Sequence, residues 1–236
     1  MLPEFDVAGQ EKLLSSAAMI FGLGGLGSPV AMYLAAAGLG ELVLVDDDEV
    51  DISNLQRQII HAENTVGHAK TQSAAAHLRR LNSATGLTCL NERLEGRDLE
   101  SRIDAVDIVI DATDNFSSRY AINDACVKTK VPLVSGAAIR MEGQVAVFDP
   151  RDADSPCYRC LYPEGDDEAL NCAENGVIAP LVGIIGTVQA MEAIKVLTGV
   201  GEPLIGYVLY ADAKRMDWRK LKLTRDPNCP TCGEPH

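Results

Sequence analysis

Apolar residues along the first part of the chain fall into short runs separated by helix-length stretches of mixed polarity. Runs ending near Phe21, Asp46, Leu90, Asp111 and Ser135 read as strands, and the stretches at about residues 26–38, 67–81, 98–104 and 116–129 read as helices. This β-α rhythm predicts an α/β fold of the Rossmann-like, doubly wound kind, with a mostly parallel sheet and helices on both faces. After Gly143 the rhythm changes. Gln144 to Phe148 alternates like an antiparallel strand, and Asp149 to Glu168 is polar and turn-rich. Residues 180–198 read as an apolar helix containing glycine, and alternating runs at about 205–212 and 217–223 extend the sheet with antiparallel strands. No linker, repeat or low-complexity tract interrupts the pattern, which predicts a single domain over residues 1–236 with a nucleotide-binding half to about 140 and an elaborated half from about 141.

Between the first strand and its helix lies Gly22-Leu23-Gly24-Gly25-Leu26-Gly27, and Asp46 ends the following strand. Gly22 and Gly24 permit a tight turn whose backbone N–H groups approach a phosphate. Gly27 lets the helix pack close to the sheet, and Asp46 is placed to bind ribose hydroxyls. Taken alone, that arrangement points to NAD and an oxidoreductase. Gly22, Asp46 and the run Asp111-Ala-Thr-Asp114-Asn115 all fall at carboxyl ends of predicted strands, where ligands of such sheets bind.

Composition narrows the class. Apolar residues make up 47% of the chain and charged residues 23%, values ordinary for a globular protein. No run approaches the roughly 18 apolar residues expected of a membrane span, so no membrane partner is expected. The formal charge of −13 argues against a broad nucleic-acid surface and favours proteins or small anions as partners. The opening Met1-Leu2-Pro3-Glu4-Phe5-Asp6 lacks a basic, apolar leader, which predicts a cytoplasmic protein. In that compartment seven cysteines are not a disulfide framework, and their spacing carries the information.

Cys157-Tyr-Arg-Cys160 and Cys229-Pro-Thr-Cys232 are two C-x-x-C pairs. A two-residue spacer lets both sulfurs of a pair face one ion, and four thiolates suit tetrahedral zinc in a closed, structural site. Rubredoxin-type iron uses similar ligands, but nothing else in the chain suggests electron transfer. Arg57, within Ser53-Asn54-Leu55-Gln56-Arg57-Gln58, offers a planar fork for phosphate oxygens, although for the segment standing alone a solvated loop arginine is the better explanation. Lys70 opens the helix after Gly67-His68-Ala69, where a cation opposes the helix dipole and calls for an anionic neighbour such as a triphosphate, a reading that by itself stands level with that of a plain surface lysine. Asp111 and Asp114 flank a strand end. A carboxylate there can hold magnesium against phosphates, and Asp111 can equally cap a turn. Cys172 has no partner by spacing and is a candidate nucleophile or an inert thiol, whereas Cys89 and Cys126 sit in core-like settings. His61, His68, His77 and His236 form no triad or metal spacing and receive no catalytic role.

Taken in order, the glycine turn, Asp46, residues 53–58, Lys70, residues 111–115 and the cysteine pairs resemble the MoeB/ThiF family of E1-like sulfur-carrier adenylyltransferases. The resemblance runs from about Gly9 to Gly233. Residues 132–144 lean to the MoeB branch, and residues 183–195 also look like the family. It implies ATP-dependent adenylation of the carboxyl-terminal Gly-Gly carboxylate of a ubiquitin-like sulfur carrier, of the molybdopterin-synthase or the thiamine-pathway (ThiS) kind. An acyl-adenylate and pyrophosphate would form ahead of a thiocarboxylate. On the same footing Gly22, Gly24, Gly25, Gly27, Asp46, Ser53, Asn54 and Asn115 would surround the nucleotide. Arg57 and Lys70 would neutralise phosphates, Asp114 would bind Mg2+, and Cys157, Cys160, Cys229 and Cys232 would hold structural Zn2+. Cys172 matches a cysteine that links covalently to the carrier in the ThiF branch.

The family resemblance also implies a homodimer in which an amino-terminal arginine reaches the neighbour's ATP site. This chain has no arginine before Arg57, and Leu2–Asp6 looks like the segment that normally follows that arm, so an upstream arm is expected. Two other classes stand beside this reading: an NAD-dependent oxidoreductase, favoured by the glycine turn alone, and a zinc-stabilised module that binds a carrier without chemistry. Sequence does not identify the sulfur donor.

Overall fold

The computed structural model describes residues 2–165 and 176–233. The strands are β1 (Ala17–Phe21), β2 (Glu41–Val45), β3 (Gly86–Leu90), β4 (Ile108–Asp111), β5 (Leu133–Ile139), β6 (Glu142–Phe148), β7 (Tyr207–Asp212) and β8 (Asp217–Lys222). The helices among the described residues are α1 (Asp6–Leu14), α2 (Gly27–Ala36), α3 (Lys70–Leu81), α4 (Gly96–Ile103), α5 (Phe116–Thr129), the short α6 (Tyr158–Leu161) and α7 (Ala179–Thr198). All strands join one sheet in the order β3-β2-β1-β4-β5-β6-β7-β8. Pairs from β3 through β5 are parallel, and those from β5 through β8 are antiparallel. The doubly wound sheet with an antiparallel extension is therefore present as expected.

Side-chain alternation sends each strand's residues to two cores. Ile20, Leu44, Ile110 and Val134 pack beneath α2, α3 and α7, whereas Phe21, Val45, Val109 and Leu133 face α4 and α5. Burial on both faces explains why these strands read as unbroken apolar runs. The chain order reverses beside β1, which pairs with β2 on one side and β4 on the other, so the crevice of the fold opens above the carboxyl ends of β1 and β4.

Three elements depart from the sequence reading. The strand ending near Ser135 continues to Ile139 and turns at Arg140 (φ 53°) into β6, forming one hairpin with Ala137 opposite Gln144. Helix α1 was not anticipated, because its residues show little apolar periodicity. It is held by Leu13, which is buried, and by Lys12 Nζ donating to the Thr198 carbonyl. Helix α7 is long and apolar enough, by length and composition, to cross a membrane, contrary to the expectation that no such run exists. Here Leu181, Val182, Ile185, Ala190 and Ala193 are buried in the core under the sheet. Two buried polar residues tie it to the rest of the fold: Gln189 Nε2 donates to the Asp111 carbonyl at 2.8 Å, while its Oε1 is buried without a partner, and Glu192 accepts the Leu204 N–H at 2.8 Å. A Cβ on Gly186 would overlap the Leu26 carbonyl oxygen, so that glycine sets how closely α7 crosses the start of α2.

Candidate functional site

The glycines of the first turn divide their work. Gly22 has φ 87°, and a Cβ there would lie 2.8 Å from the Ala112 carbonyl oxygen at the end of β4. The turn therefore needs both the left-handed backbone and the missing side chain. A Cβ on Gly27 would overlap the Gly22 carbonyl oxygen, and one on Gly25 would lie 2.7 Å from Val182 Cγ2 of α7, so both are packing glycines. Gly22, Gly24 and Gly25 line the large cavity, and Gly27 does not.

Asp46 is tied to this turn. Its Oδ2 accepts the Leu23 N–H at 2.6 Å and its Oδ1 accepts the Asp48 N–H at 3.0 Å. Burial pushes its carboxyl up, and Lys70, with Nζ 3.9 Å from Oδ1, pulls the other way. Lys70 is itself buried at the start of α3, with Nζ 2.7 Å from Asp48 Oδ2. The anion demanded by a first-turn lysine is thus partly supplied by the chain.

Arg57 projects into the cavity with its Nη2 donating to Asn54 Oδ1 at 2.6 Å, which fixes the fork. Ser53 turns elsewhere: its N–H and Oγ both donate to Asp51, closing a short helical turn over residues 52–54. Neither Ser53 nor Asn54 lines the cavity. Their place is to shape the segment that carries Arg57.

At the end of β4 the two aspartates separate. Asp111 is buried and accepts hydrogen bonds from Thr113 N–H, Thr113 Oγ1 and Ser135 Oγ, so it organises the turn. Asp114 lies exposed on the cavity wall, with Asn115 Nδ2 3.4 Å from its Oδ1. Asn115 chiefly caps α5, accepting the Ser118 N–H at 2.8 Å. Arg119, one turn into α5, is buried and donates to the carbonyl of Thr113 and to Tyr158 Oη, holding the loop that carries Asp114.

These groups share a cavity of about 710 Å3 that runs from the glycine turn to the face of β6 and β7. Gln144, Tyr162 and Tyr210 line its far end, where Tyr162 Oη donates to Gln144 Oε1 at 2.9 Å. Arg57 and Lys70 thus stand at one end of the cavity, and Glu142, Gln144, Tyr162 and Tyr210 at the other.

The four cysteines of the C-x-x-C pairs converge, with their sulfurs all within 4.8 Å of one another. Cys157 lies 3.6 Å from Cys229, and Cys160 lies 3.4 Å from Cys232. A tetrahedral zinc with bonds of about 2.3 Å separates its sulfurs by about 3.8 Å, so the donor set and spacing fit that ion. The cysteines are free thiols. Cys160 is brought down to about 4 by its hydrogen bond with Cys157 and by the Asp226 N–H, burial pushes Cys232 up to about 11, and Cys157 is pushed far up. Asp124 of α5 ties the knuckles together, accepting from Arg159 Nε at 3.0 Å and from Thr231 Oγ1 at 2.8 Å. Cys172 lies outside the described residues. Cys89 and Cys126 pack in the core as expected, with thiols pushed up by burial.

Sequence reasoning missed Gln58, Arg119, Asp124 and Tyr162 as members of these sites, and His61 as a support. His61 is buried with Nδ1 2.9 Å from Ser73 Oγ and Nε2 3.0 Å from the Leu23 carbonyl oxygen, so it braces the glycine turn from beneath. Burial lowers its pKa, and nearby Lys70 adds to the shift. Only the position of Gln58 beside Arg57 offered a local signal.

Fold and site define an α/β protein of the doubly wound class, with a large cavity above the carboxyl ends of β1 and β4 and a cluster of four cysteines that could hold a metal ion. The chain belongs to the ThiF family, whose model matches residues 1–231. It is 49% identical over 234 residues to the molybdopterin-synthase adenylyltransferase of Escherichia coli, covering 99% of this chain and 94% of that protein. It is 44% identical to the E. coli sulfur carrier protein ThiS adenylyltransferase, with 99% and 92% covered, and 43% identical to the SAMP-activating enzyme E1 of Haloferax volcanii, with 99% and 86% covered. The relatives are named as enzymes of the class expected from the sequence. Among solved structures, E. coli MccB with ATP superposes with a TM-score of 0.85 over 97% of this chain and 70% of that one, at 24% identity, a likeness of fold.

Proposed function

We propose that this chain is an E1-like adenylyltransferase that uses ATP to activate the carboxyl-terminal Gly-Gly of a ubiquitin-like sulfur carrier, of the kind served by the molybdopterin-synthase adenylyltransferase. The observation that carries this reading is the single cavity joining Gly22, Gly24, Asp46, Arg57, Lys70 and Asp114 to a far end lined by Glu142, Gln144 and Tyr210. An NAD site asks for a dinucleotide's length of contacts and no second macromolecular entrance. Here Arg57 and Lys70 line the cavity together with the glycine turn, where phosphates would lie, and the far end at Gln144 and Tyr210 would take the carrier's terminal glycines.

In the reaction, a carboxylate oxygen of the carrier's terminal glycine attacks the α-phosphorus of ATP, the bond to the β-phosphate oxygen breaks, and pyrophosphate leaves. Such a transfer needs in-line placement and neutralisation of spreading negative charge. Arg57 presents a fork oriented by Asn54, and Lys70 is buried with its charge held towards Asp48. Asp114, exposed on the cavity wall, would hold magnesium as a hard oxygen ligand, and that ion would add Lewis-acid charge to the phosphates. Zinc on the four cysteines would be structural, because no coordination position stays open. We place the enzyme in the cytoplasm, and we expect a homodimer because the family resemblance implies one.

ATP–pyrophosphate exchange with purified carriers ending in Gly-Gly tests the reading. Carrier-dependent exchange is expected, and its absence with every such carrier would overturn the proposal. A second substrate, the ThiS carrier, is kept open by the 44% identity to its adenylyltransferase, and the same assay ranks the two.

A further inference from the structure

His61 stands in a row of polar groups that ends at a backbone carbonyl on either side. Its Nε2 lies 3.0 Å from the Leu23 carbonyl oxygen and its Nδ1 lies 2.9 Å from Ser73 Oγ. Ser73 Oγ lies 3.0 Å from Thr65 Oγ1, which lies 2.8 Å from the Ala62 carbonyl oxygen. His61 and Ser73 are buried, Thr65 is half-buried and Ala62 is exposed, so the row leads from the surface to the glycine turn. There Leu23 is held from both sides, its N–H by Asp46 Oδ2 and its carbonyl by His61.

The row has four links, and the protonation state of the ring sets how many hydrogens fill them. A carbonyl only accepts, so Nε2 carries a hydrogen in every state that keeps the Leu23 bond. With a neutral ring, Nδ1 is then bare: Thr65 donates to Ser73, Ser73 donates to Nδ1, and Nε2–H donates to Leu23. The link from Thr65 Oγ1 to the Ala62 carbonyl has no hydrogen in that state, and the carbonyl still accepts the Thr65 N–H at 2.9 Å. An imidazolium supplies the missing hydrogen and fills every link, with both hydroxyls reversed. Burial is the main influence holding the ring neutral; the Leu23 bond opposes it, and the charges of Lys70 and His77 on α3 add to it. Lys70 in turn faces Asp46 at 3.9 Å and Asp48 at 2.7 Å.

We propose that nucleotide binding is coupled to uptake of one proton by His61, delivered along Thr65 and Ser73, while Nε2–H keeps hold of the Leu23 carbonyl. This rests on the nucleotide reading above. A solvent proton joins Thr65 Oγ1, the Thr65 hydrogen passes to Ser73 Oγ, and the Ser73 hydrogen passes to Nδ1. Each oxygen ends with one hydrogen as it began, solvent has lost a proton and the imidazole has gained it. No heavy atom has to move. Anionic phosphates lodged by the glycine turn and Lys70 offset the cation that disfavours an imidazolium. By reciprocity, the protonated ring binds nucleotide more tightly. His61 is thus a positioning residue, acting through Leu23.

The test is calorimetry of ATP binding to the full chain without carrier, at about pH 6 in buffers of different ionisation heat, for wild type, His61→Gln and Ser73→Ala. Protons exchanged by ATP itself are common to all three and cancel in the differences. Wild type is expected to take up roughly half a proton more per ATP than either variant. The Gln variant keeps a donor for Leu23 and has no place for a proton, so at about pH 8 it is expected to bind ATP within about twofold of wild type. In wild type, the NMR titration midpoint of the His61 ring is expected to rise by about one pH unit with ATP. Equal uptake in wild type and folded His61→Gln would overturn the proposal, as would uptake retained in Ser73→Ala. A His61 midpoint unmoved by ATP would overturn it too, and that measurement needs no variant to fold. A wild-type chain that binds no ATP would defeat the nucleotide reading together with this one, whereas binding without the extra proton would defeat this one alone.

Discussion

Lys70 meets Asp48 across the mouth of the cavity, with Nζ 2.7 Å from Oδ2, and the pair is asymmetric: the lysine side chain is 7% exposed and the aspartate 68%. The lysine is thus held in place, while Asp48 has solvent to retreat into when an anionic ligand arrives.

From this asymmetry, Lys70→Met should cost about 2 kcal/mol of folding stability, since it leaves Asp46 buried without its cation, and it should abolish pyrophosphate exchange. Asp48→Asn should cost less than about 1 kcal/mol and retain exchange. Urea denaturation at pH 7 with parallel exchange assays measures both. Equal stability losses in the two variants would refute the asymmetry.

Asp124 accepts from Arg159 and Thr231, residues inside the two different cysteine pairs. Burial pushes its carboxyl up, but hydrogen bonds from these residues and Asn123 outweigh that and hold it below the ordinary carboxylate value. Asp124→Ala should therefore weaken zinc binding by about 10- to 100-fold, the usual effect of losing a group that orients metal ligands. Chelator competition on the full chain reads this directly, and an unchanged zinc affinity would show that the knuckles hold themselves.

His61 links stability to pH. Burial keeps its pKa below the ordinary 6.5, so above about 6.5 both folded and unfolded chains carry it neutral. As pH falls below that value the unfolded chain binds a proton that the folded chain refuses, and stability declines until the folded pKa is passed. Asp46 has the opposite sign: with its carboxyl raised, the folded chain takes up a proton first, and stability gains as pH falls towards 3.8. Denaturation at successive pH values should show a loss below pH 6.5 that flattens in His61→Gln. NMR titration of the His61 ring to a midpoint above 6.5 would contradict the burial argument.

Gly186 of α7 faces the Leu26 carbonyl oxygen and Pro29 of α2. Gly186→Ala should push the helices apart and cost roughly 2–3 kcal/mol, because the nearest atom is backbone and cannot swing away. Gly183→Ala, on the same helix with nothing within 4 Å of its Cβ, should be neutral or slightly stabilising through helix propensity. Thermal melts of the two variants give the comparison, and similar melting temperatures would remove the packing role assigned to Gly186.

Much of the site was legible because its signals are local. The spacing of Gly22, Gly24 and Gly27 reports a backbone that needs positive φ and close approach. The two-residue spacer of each cysteine pair reports one shared ion. Lys70 announced a missing anion through its place on α3. What local pattern did not resolve was the choice between neighbours of the same chemistry: Asp111 and Asp114 are three positions apart, yet one is sealed under Ser135 and the other faces the cavity. The same limit applies to Ser53, which has the right chemistry for a ligand contact and bonds to Asp51 instead.

By itself, the amino-acid sequence determined the alternation of strands and helices, the parallel-then-antiparallel change near Gly143, the phosphate-ready turn and the paired thiols. Each of these depends on side-chain period and backbone freedom within a few residues. Only the tertiary structure decided that Gln58 lines the cavity, that His61 braces Leu23, that Asp124 joins two knuckles far apart in the chain, and that apolar α7 lies against the sheet. Those relationships arise where crossovers bring distant segments to a common strand end, and their geometry is set by packing that no local pattern encodes.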